Sequence, residues 1–254
     1  MIRAIGGRPV IKIINRCIRK VAGFTHFIQY VIEWGSKPVP GWFDHNISLY
    51  YSWHRTRDCH SWERGIFSLL AIQESANVLE LCCGGGFNSY YFYSIRAGRV
   101  TALDFDAEAI GSARKNYKAK NLRYLIADVR NEIPGEVFDN IVLDASLEYF
   151  TETEITDLMK TIKSRLAPSG IVSGYSIVQQ VMGADWKLIF REKDALLRFL
   201  QPHFANVRIF ETKYPSRHNL YFFAGDGELP FDTTWPAQTV WRRAADVALP
   251  GRSA

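Results

Sequence analysis

Val78-Leu79-Glu80-Leu81-Cys82-Cys83-Gly84-Gly85-Gly86-Phe87 is the stretch that decides the fold of this chain. Apolar residues lead into an acid, and a glycine-rich turn follows. A second apolar run, Val100-Thr101-Ala102-Leu103-Asp104, ends in a carboxylate 20 residues beyond Gly84. A strand, a glycine turn, a helix and a second strand tipped by an acid are the layout of a βαβ nucleotide site. The glycines let the backbone approach a ligand, and the second acid takes ribose hydroxyls.

The nature of the nucleotide follows from the surrounding residues. Gly84-Gly85-Gly86-Phe87-Asn88-Ser89 reads G-x-G-x-x-S, which nearly meets a dinucleotide fingerprint and is a weak signal alone. Three features point away from a nicotinamide dinucleotide. Glu80 at the end of strand one would repel a pyrophosphate but suits a cationic amine. No Tyr-x-x-x-Lys pair occurs in the chain. The strand also begins only near residue 77, after a long helical lead-in. Acids at both strand ends fit S-adenosylmethionine, which carries a sulfonium, an ammonium and a ribose but no phosphate.

Glu80-Leu81-Cys82-Cys83-Gly84-Gly85-Gly86 resembles the first motif of the class I S-adenosylmethionine-dependent methyltransferases, roughly E-L-G-C-G-x-G, with Cys82 where the first glycine is usual. A Cβ at that position is expected to need φ < 0 and slightly more room. The resemblance covers residues 57 to 225. It implies an α/β fold, a doubly wound, seven-stranded and mostly parallel sheet of order 3-2-1-4-5-7-6, with helices on both faces and a C-terminal antiparallel hairpin. It also implies methyl transfer from S-adenosylmethionine to a small molecule.

The pattern of elements agrees with such a sheet. Helices are expected over 58–72, 87–97, 106–118, 153–166 and 192–200. Strands are expected over 77–82, 99–103, 123–126, 138–143, 171–175, 207–210 and 219–223. Pro168-Ser169-Gly170 reads as a turn into strand five, and Tyr214-Pro215-Ser216-Arg217-His218 as the loop between the last two strands. Two consecutive strands joined by a short loop should pair antiparallel.

Ligands of such sheets sit at the carboxyl ends of the parallel strands. Asp104 should accept from both ribose hydroxyls, with Phe105 packing on adenine. Asp128 matches the family acid that binds the adenine amino group, with the Val129 N–H toward the ring. The backbone at Cys82, Gly84 and Gly86 should hug the methionine moiety, and Glu80 should sit near its ammonium. Asp144 and Ala145 should border the methyl donor. A helix N-cap or a surface turn is the ordinary alternative for each of these acids.

Catalysis on an activated sulfonium is mostly alignment of the acceptor lone pair with the S–CH₃ bond. A hydroxyl acceptor also needs a general base. Glu148, Tyr149 and His218 are the candidates, although a satisfied structural histidine is the plainer reading of His218. No Asn/Asp-Pro-Pro-Tyr tetrapeptide follows strand four, so oxygen is favoured over nitrogen. No metal-ligand cluster is visible, and no metal is expected.

Composition sets the outer bounds. With 47% apolar and 22% charged residues over 254 positions, the chain is an ordinary globular one, large enough for one main domain. Its four cysteines (17, 59, 82 and 83) form no C-x-x-C pair and no disulfide framework, so they read as reduced and the compartment as the cytoplasm. The net charge of +5 is concentrated at one end: residues 1–37 carry seven Lys/Arg and one acid, leaving the remainder nearly neutral. A positive field around the pocket is therefore not expected, which makes a nucleic-acid acceptor unlikely on charge grounds.

Residues 1–37 form a basic segment whose positions 9–34 read as one amphipathic helix. Its uncharged run from Val21 to Ile32 is too short to span a bilayer. Packing on the body, pairing in a homodimer, and peripheral contact with the inner membrane surface are the readings for this helix. The main domain is expected over 38–225. It opens with an aromatic segment in which Tyr50, Tyr51 and His54 could lid the acceptor pocket. Residues 226–254, with Trp235-Pro236 and Trp241-Arg242-Arg243, read as a strap. The expected activity is methyl transfer to a small-molecule, glycan or lipid-linked acceptor, more at oxygen than nitrogen. The alternatives are a non-catalytic S-adenosylmethionine-binding scaffold and an RNA methyltransferase.

Overall fold

The computed structural model describes residues 8–34, 63–178, 186–214 and 217–229. The pocket-lid residues Tyr50, Tyr51 and His54, the start of the expected helix at 58–62, and the strap from 230 onward lie outside the described residues. Residues 1–51 and 52–254 form separate compact units.

Within the first unit, α1 (Arg8–Trp34) is a helix of 27 residues, one residue longer at its start than the apolar periodicity indicates. The second unit is built on a seven-stranded sheet. Its elements are α2 (Ile66–Ala71), β1 (Asn77–Leu81), α3 (Phe87–Tyr91), β2 (Arg99–Asp104), α4 (Ala107–Asn116), β3 (Leu122–Ile126) and β4 (Phe138–Asp144). There follow α5 (Glu152–Arg165), β5 (Leu166–Val178), α6 (Lys193–Leu200), β6 (Asn206–Tyr214) and β7 (Arg217–Gly225). The strand order is β3-β2-β1-β4-β5-β7-β6, with β7 antiparallel to both neighbours and the other pairs parallel. Both the expected order and the terminal hairpin are present.

The strands alternate, and the alternation assigns the helices to faces. Leu79, Leu81, Leu103, Ile141 and Leu143 cluster with Ile155, Leu158 and Ile162 of α5 and with Leu196 and Leu200 of α6. On the opposite face Val78, Val100 and Val142 pack with Ile72 and Tyr93, and Ala102 packs with Ile110 and Ala113 of α4. Local signals hold the helix ends. Asp106 caps α4 by accepting from Glu108 N and Ala109 N, and Thr151 and Glu154 form a reciprocal capping box on α5.

The structure corrects three local expectations. Pro168-Ser169-Gly170 lies inside β5 rather than before it. The ladder advances from Phe138 to Asn140 on β4 while β5 advances from Leu166 to Ile171, so the extra residues bulge out. Pro168 has no N–H to give the ladder, which is why a bulge accommodates it. The last two strands are longer than expected, pairing out to Tyr214↔Arg217, so His218 is a β7 residue opposite Lys213 and Val178. Of the two, β6 lies at the sheet edge, where polar side chains are tolerated, so polarity alone does not end the hairpin. The helix expected over 87–97 is a short α3 followed by a 3₁₀ turn, Tyr93–Ile95.

Candidate functional site

Strand register places three carboxylates on one face of the sheet. Glu80 stands opposite Ala102 of β2 and Val142 of β4. Asp104 and Asp144 are two residues beyond those partners, so both project to the face that Glu80 uses, one on either side of the β1 tip. Two strand spacings separate their backbones, about 10 Å. Cys82, just past β1, lies between them in sequence register.

The chain turn after β1 is held in the left-handed region. Cys82 has φ 57°, Gly84 φ 53° and Gly86 φ 79°. The expectation of a negative φ at Cys82 is therefore wrong: the cysteine adopts the glycine-like conformation and carries its Cβ there, at a cost of order 1–2 kcal/mol. Ala145, just past the tip of β4, has φ 49°. Two non-glycine residues in this region, at the tips of adjacent strands, are local strain of the kind that gathers at functional sites. Gly86 has a second constraint, since a Cβ there would meet Tyr124 Cε1 and Oη at 2.6 Å.

Asp104 binds the turn directly. Its carboxylate accepts from Gly84 N at 2.8 Å and from Asp106 N at 2.9 Å, and burial raises its pKa against those bonds. Beside it Phe105 is 69% exposed, and Ile126, Asp104's register partner on β3, is 52% exposed. These two exposed apolar side chains stand next to Asp104, the acid expected to take the ribose, and Ile126 escaped the sequence reading. Asp128 is bound by the Arg130 guanidinium through Nε at 2.9 Å and Nη2 at 2.6 Å, which lowers its pKa, and Val129 is buried behind it.

Glu80 is buried, accepts a hydrogen bond from Ser89 Oγ, and is raised well above the usual carboxylate range by burial. Asp144 accepts from Tyr93 OH, from Ser68 Oγ at 2.9 Å and from Asn88 Nδ2 at 3.1 Å. Burial pushes Asp144 up to about 6, although the three hydrogen bonds and the Arg64 charge draw it down. All the hydrogen bonds on these two acids come from neutral donors, so each gains if a cation arrives. That donor set fits a sulfonium and an ammonium, and it opposes a pyrophosphate.

The expected catalytic residues do not converge. Glu148 is buried, and its Oε1 accepts from Ser176 Oγ at 2.9 Å and from Ile177 N at 2.6 Å, both on β5. Tyr149, its neighbour on the 3₁₀ turn Leu147–Tyr149, is 51% exposed. His218 faces Glu211 across the hairpin at 2.9 Å. A cluster that the sequence reading missed lies nearby. Glu63 Oε1 accepts from Tyr221 OH at 2.5 Å, Thr212 Oγ1 at 2.6 Å and Asn219 Nδ2 at 3.2 Å, tying the lead-in to α2 to the hairpin. Among the described residues no group of His, Cys, Asp and Glu is placed to hold a metal ion.

Residues 78–170 match the family model described as a methyltransferase domain. The chain is 29% identical over 136 residues to trans-aconitate 2-methyltransferase of Paracidovorax citrulli, a match covering 51% of this chain and 49% of that protein. It is 32% identical over 88 residues to ribosomal protein L11 methyltransferase of Dechloromonas aromatica, covering 34% of this chain and 27% of that protein. The matches to these two relatives thus span half of their length or less. In fold the chain is similar to the 1,6-didemethyltoxoflavin-N1-methyltransferase of Burkholderia thailandensis with S-adenosylhomocysteine bound (TM-score 0.56, 20% identity, 76% of this chain and 93% of that one). It is likewise similar to the N-methyltransferase NodS of Bradyrhizobium japonicum with the same ligand (TM-score 0.54, 19% identity, 72% and 98%). A sheet wound in this order around a glycine turn, together with the methyltransferase domain matched over residues 78–170, supports a class I S-adenosylmethionine-dependent methyltransferase with S-adenosylmethionine as its methyl donor.

Proposed function

We propose that this chain transfers a methyl group from S-adenosylmethionine to an oxygen of a small-molecule, glycan or lipid-linked acceptor. The observation that carries the reading is the placement of Asp104 and Asp144 on one sheet face, flanking the strained turn at Cys82. S-adenosylmethionine, when bound, supplies a methyl group already activated on a sulfonium. Asp104 takes the ribose hydroxyls, Phe105 and Ile126 take the adenine faces, and Asp128 with Val129 takes the adenine edge. The backbone at Cys82, Gly84 and Gly86 receives the methionine portion, with Glu80 behind it and Ala145 beside it.

Support for oxygen comes from Asp144. A carboxylate near 6 at the tip of β4 is ionised at neutral pH, yet basic enough to take a proton from a hydroxyl as the methyl group arrives. The proton moves to Asp144, the new bond forms between the acceptor oxygen and the methyl carbon, and S-adenosylhomocysteine leaves. We assign Glu148 a positioning role, since its Oε1 accepts from Ser176 Oγ and the Ile177 N–H of β5, and we place Tyr149 at the acceptor mouth. The small-molecule acceptor in the names of the Paracidovorax and Burkholderia proteins supports the acceptor class. For the exposed helix α1, peripheral membrane contact and a homodimer are the two partner readings, and the width of its apolar face discriminates them.

Calorimetric titration with S-adenosylmethionine, followed by methyl-label transfer to a panel of hydroxyl, carboxyl and amine compounds and to RNA, tests this reading. Binding with turnover on an oxygen acceptor is expected. Binding without turnover on any acceptor identifies a scaffold, and turnover confined to amines or RNA removes the oxygen assignment.

A further inference from the structure

We propose that α1 docks with its apolar face on an anionic phospholipid bilayer, lying in the plane of the surface. At 3.6 residues per turn, the apolar side chains from Phe27 through Ile13, Phe24, Val21 and Ile14 to Ile11 sweep an arc of about 200°. On that arc Ile13, Ile18, Val21, Phe24 and Ile32 are 59–78% exposed. Lys12, Asn15, Arg16, Arg19, His26 and Glu33 occupy the complementary arc. Lys20 sits at the margin, where a long side chain reaches back to water.

The width of the arc chooses the occupant. A second copy of the helix would cover a narrow a/d seam and leave most of this face in water. A bilayer surface covers the whole arc, admitting the apolar side about 5–10 Å into the headgroup boundary. Charge chooses the lipid. Arg8, Lys12, Arg16, Arg19 and Lys20 lie within the first half of the helix, against the single acid Glu33 near its end. Such a cluster beside an apolar face is attracted to phosphatidylglycerol or similar headgroups. No helix among the described residues is long and apolar enough to cross a membrane, which leaves the interface as the place for it. This inference is independent of the acceptor chemistry and would stand if that assignment failed.

The test is co-sedimentation of the full chain with phosphatidylcholine vesicles, with and without an equal part of phosphatidylglycerol. Binding to the anionic vesicles, weakened by salt, is expected. Phe24→Glu should weaken it at least about tenfold through lost apolar insertion. The pair Arg16→Gln and Arg19→Gln should weaken it by about thirtyfold, equivalent to about 1 kcal/mol per base. Cofactor affinity of each variant, measured alongside, should match that of the parent chain. Absence of vesicle binding overturns the proposal, as does equal binding to neutral and anionic vesicles. Vesicle binding lost together with a dimer that Phe24→Glu dissociates in sedimentation equilibrium would assign the face to a second copy, which also overturns it.

Discussion

The Gly84 backbone N–H donates to Asp104 Oδ2 at 2.8 Å, joining the turn after β1 to the tip of β2. One carboxylate thus has two tasks on the proposed reading: it takes the ribose hydroxyls, and it fixes the glycine turn after β1. Asp104→Ala should therefore weaken S-adenosylmethionine binding by more than a lone ribose contact, on the order of 1.5–3 kcal/mol, or roughly 10- to 150-fold. Asp104→Asn retains an oxygen for Gly84 and should fall between parent and Ala variant. Titration calorimetry on the three proteins checks this ordering, and an unchanged affinity in Asp104→Ala removes the ribose assignment.

Asp144 makes a pH prediction whose sign follows from linkage. Its folded-state pKa, about 6, is raised above its ordinary value of 3.8, so the folded protein holds a proton that the unfolded chain has released between those two values. Stability without cofactor should therefore fall as pH rises from about 4 to 6 and level off above that window. Asp144→Asn should flatten that segment of the stability–pH curve. In catalysis the same group should give kcat/KM an acid limb near pH 6, and Asp144→Asn should lower turnover about 10²- to 10⁴-fold, the usual yield of a general base. Cofactor affinity should fall as well, because the Asn side chain lacks the negative charge that favours a sulfonium, so turnover is compared at saturating cofactor. An acid limb that survives in the Asn variant assigns it to another group.

Glu148 separates positioning from base chemistry. Its Oε1 holds Ser176 Oγ and the Ile177 N–H at the end of β5. Glu148→Ala removes the acceptor from a buried backbone N–H and should cost about 1–3 kcal/mol of stability. Glu148→Gln keeps a carbonyl oxygen for the same donors, and both stability and turnover should stay close to the parent. Thermal unfolding and turnover measured on both variants decide the role. A Gln variant that is stable but inactive would return Glu148 to the place of a catalytic base.

The parts of this site that the sequence discloses are those a short segment builds alone. Val78 to Phe87 alternates, turns on glycines and presents Glu80. Asp104 closes the next strand, and their face follows from a period of two. The network around Asp144 is not legible in that way. Ser68, Asn88 and Tyr93 reach it across 76, 56 and 51 residues of chain, and each lies on a different helical segment. Nothing local in Ser68 or Tyr93 marks it as a partner of an acid on β4, and the same holds for Glu63 and Tyr221, 158 residues apart. The partners of Glu148 are hidden from the sequence for the complementary reason. It follows β4 as expected, and its Oε1 meets Ser176 and Ile177 of β5, which no pattern in 144–150 encodes.

Cys82 and Gly86 share a left-handed backbone, with φ 57° and 79°, and differ in what stands over them. Cys82 already carries a Cβ there, so Cys82→Gly trades relief of strain against a more flexible unfolded chain and should change stability by less than about 1 kcal/mol. Gly86→Ala adds the same strain and also drives a methyl group to within 2.6 Å of the buried Tyr124 ring. It should destabilise the fold by about 2–4 kcal/mol, combining overpacking with a disfavoured φ, and weaken cofactor binding in parallel. Tyr124→Leu should remove the steric part only. The double variant Gly86→Ala with Tyr124→Leu should then be more stable than the sum of the single losses predicts, with a coupling of about 1 kcal/mol or more measured by chemical denaturation. Strict additivity would mean that the φ requirement alone fixes glycine at position 86.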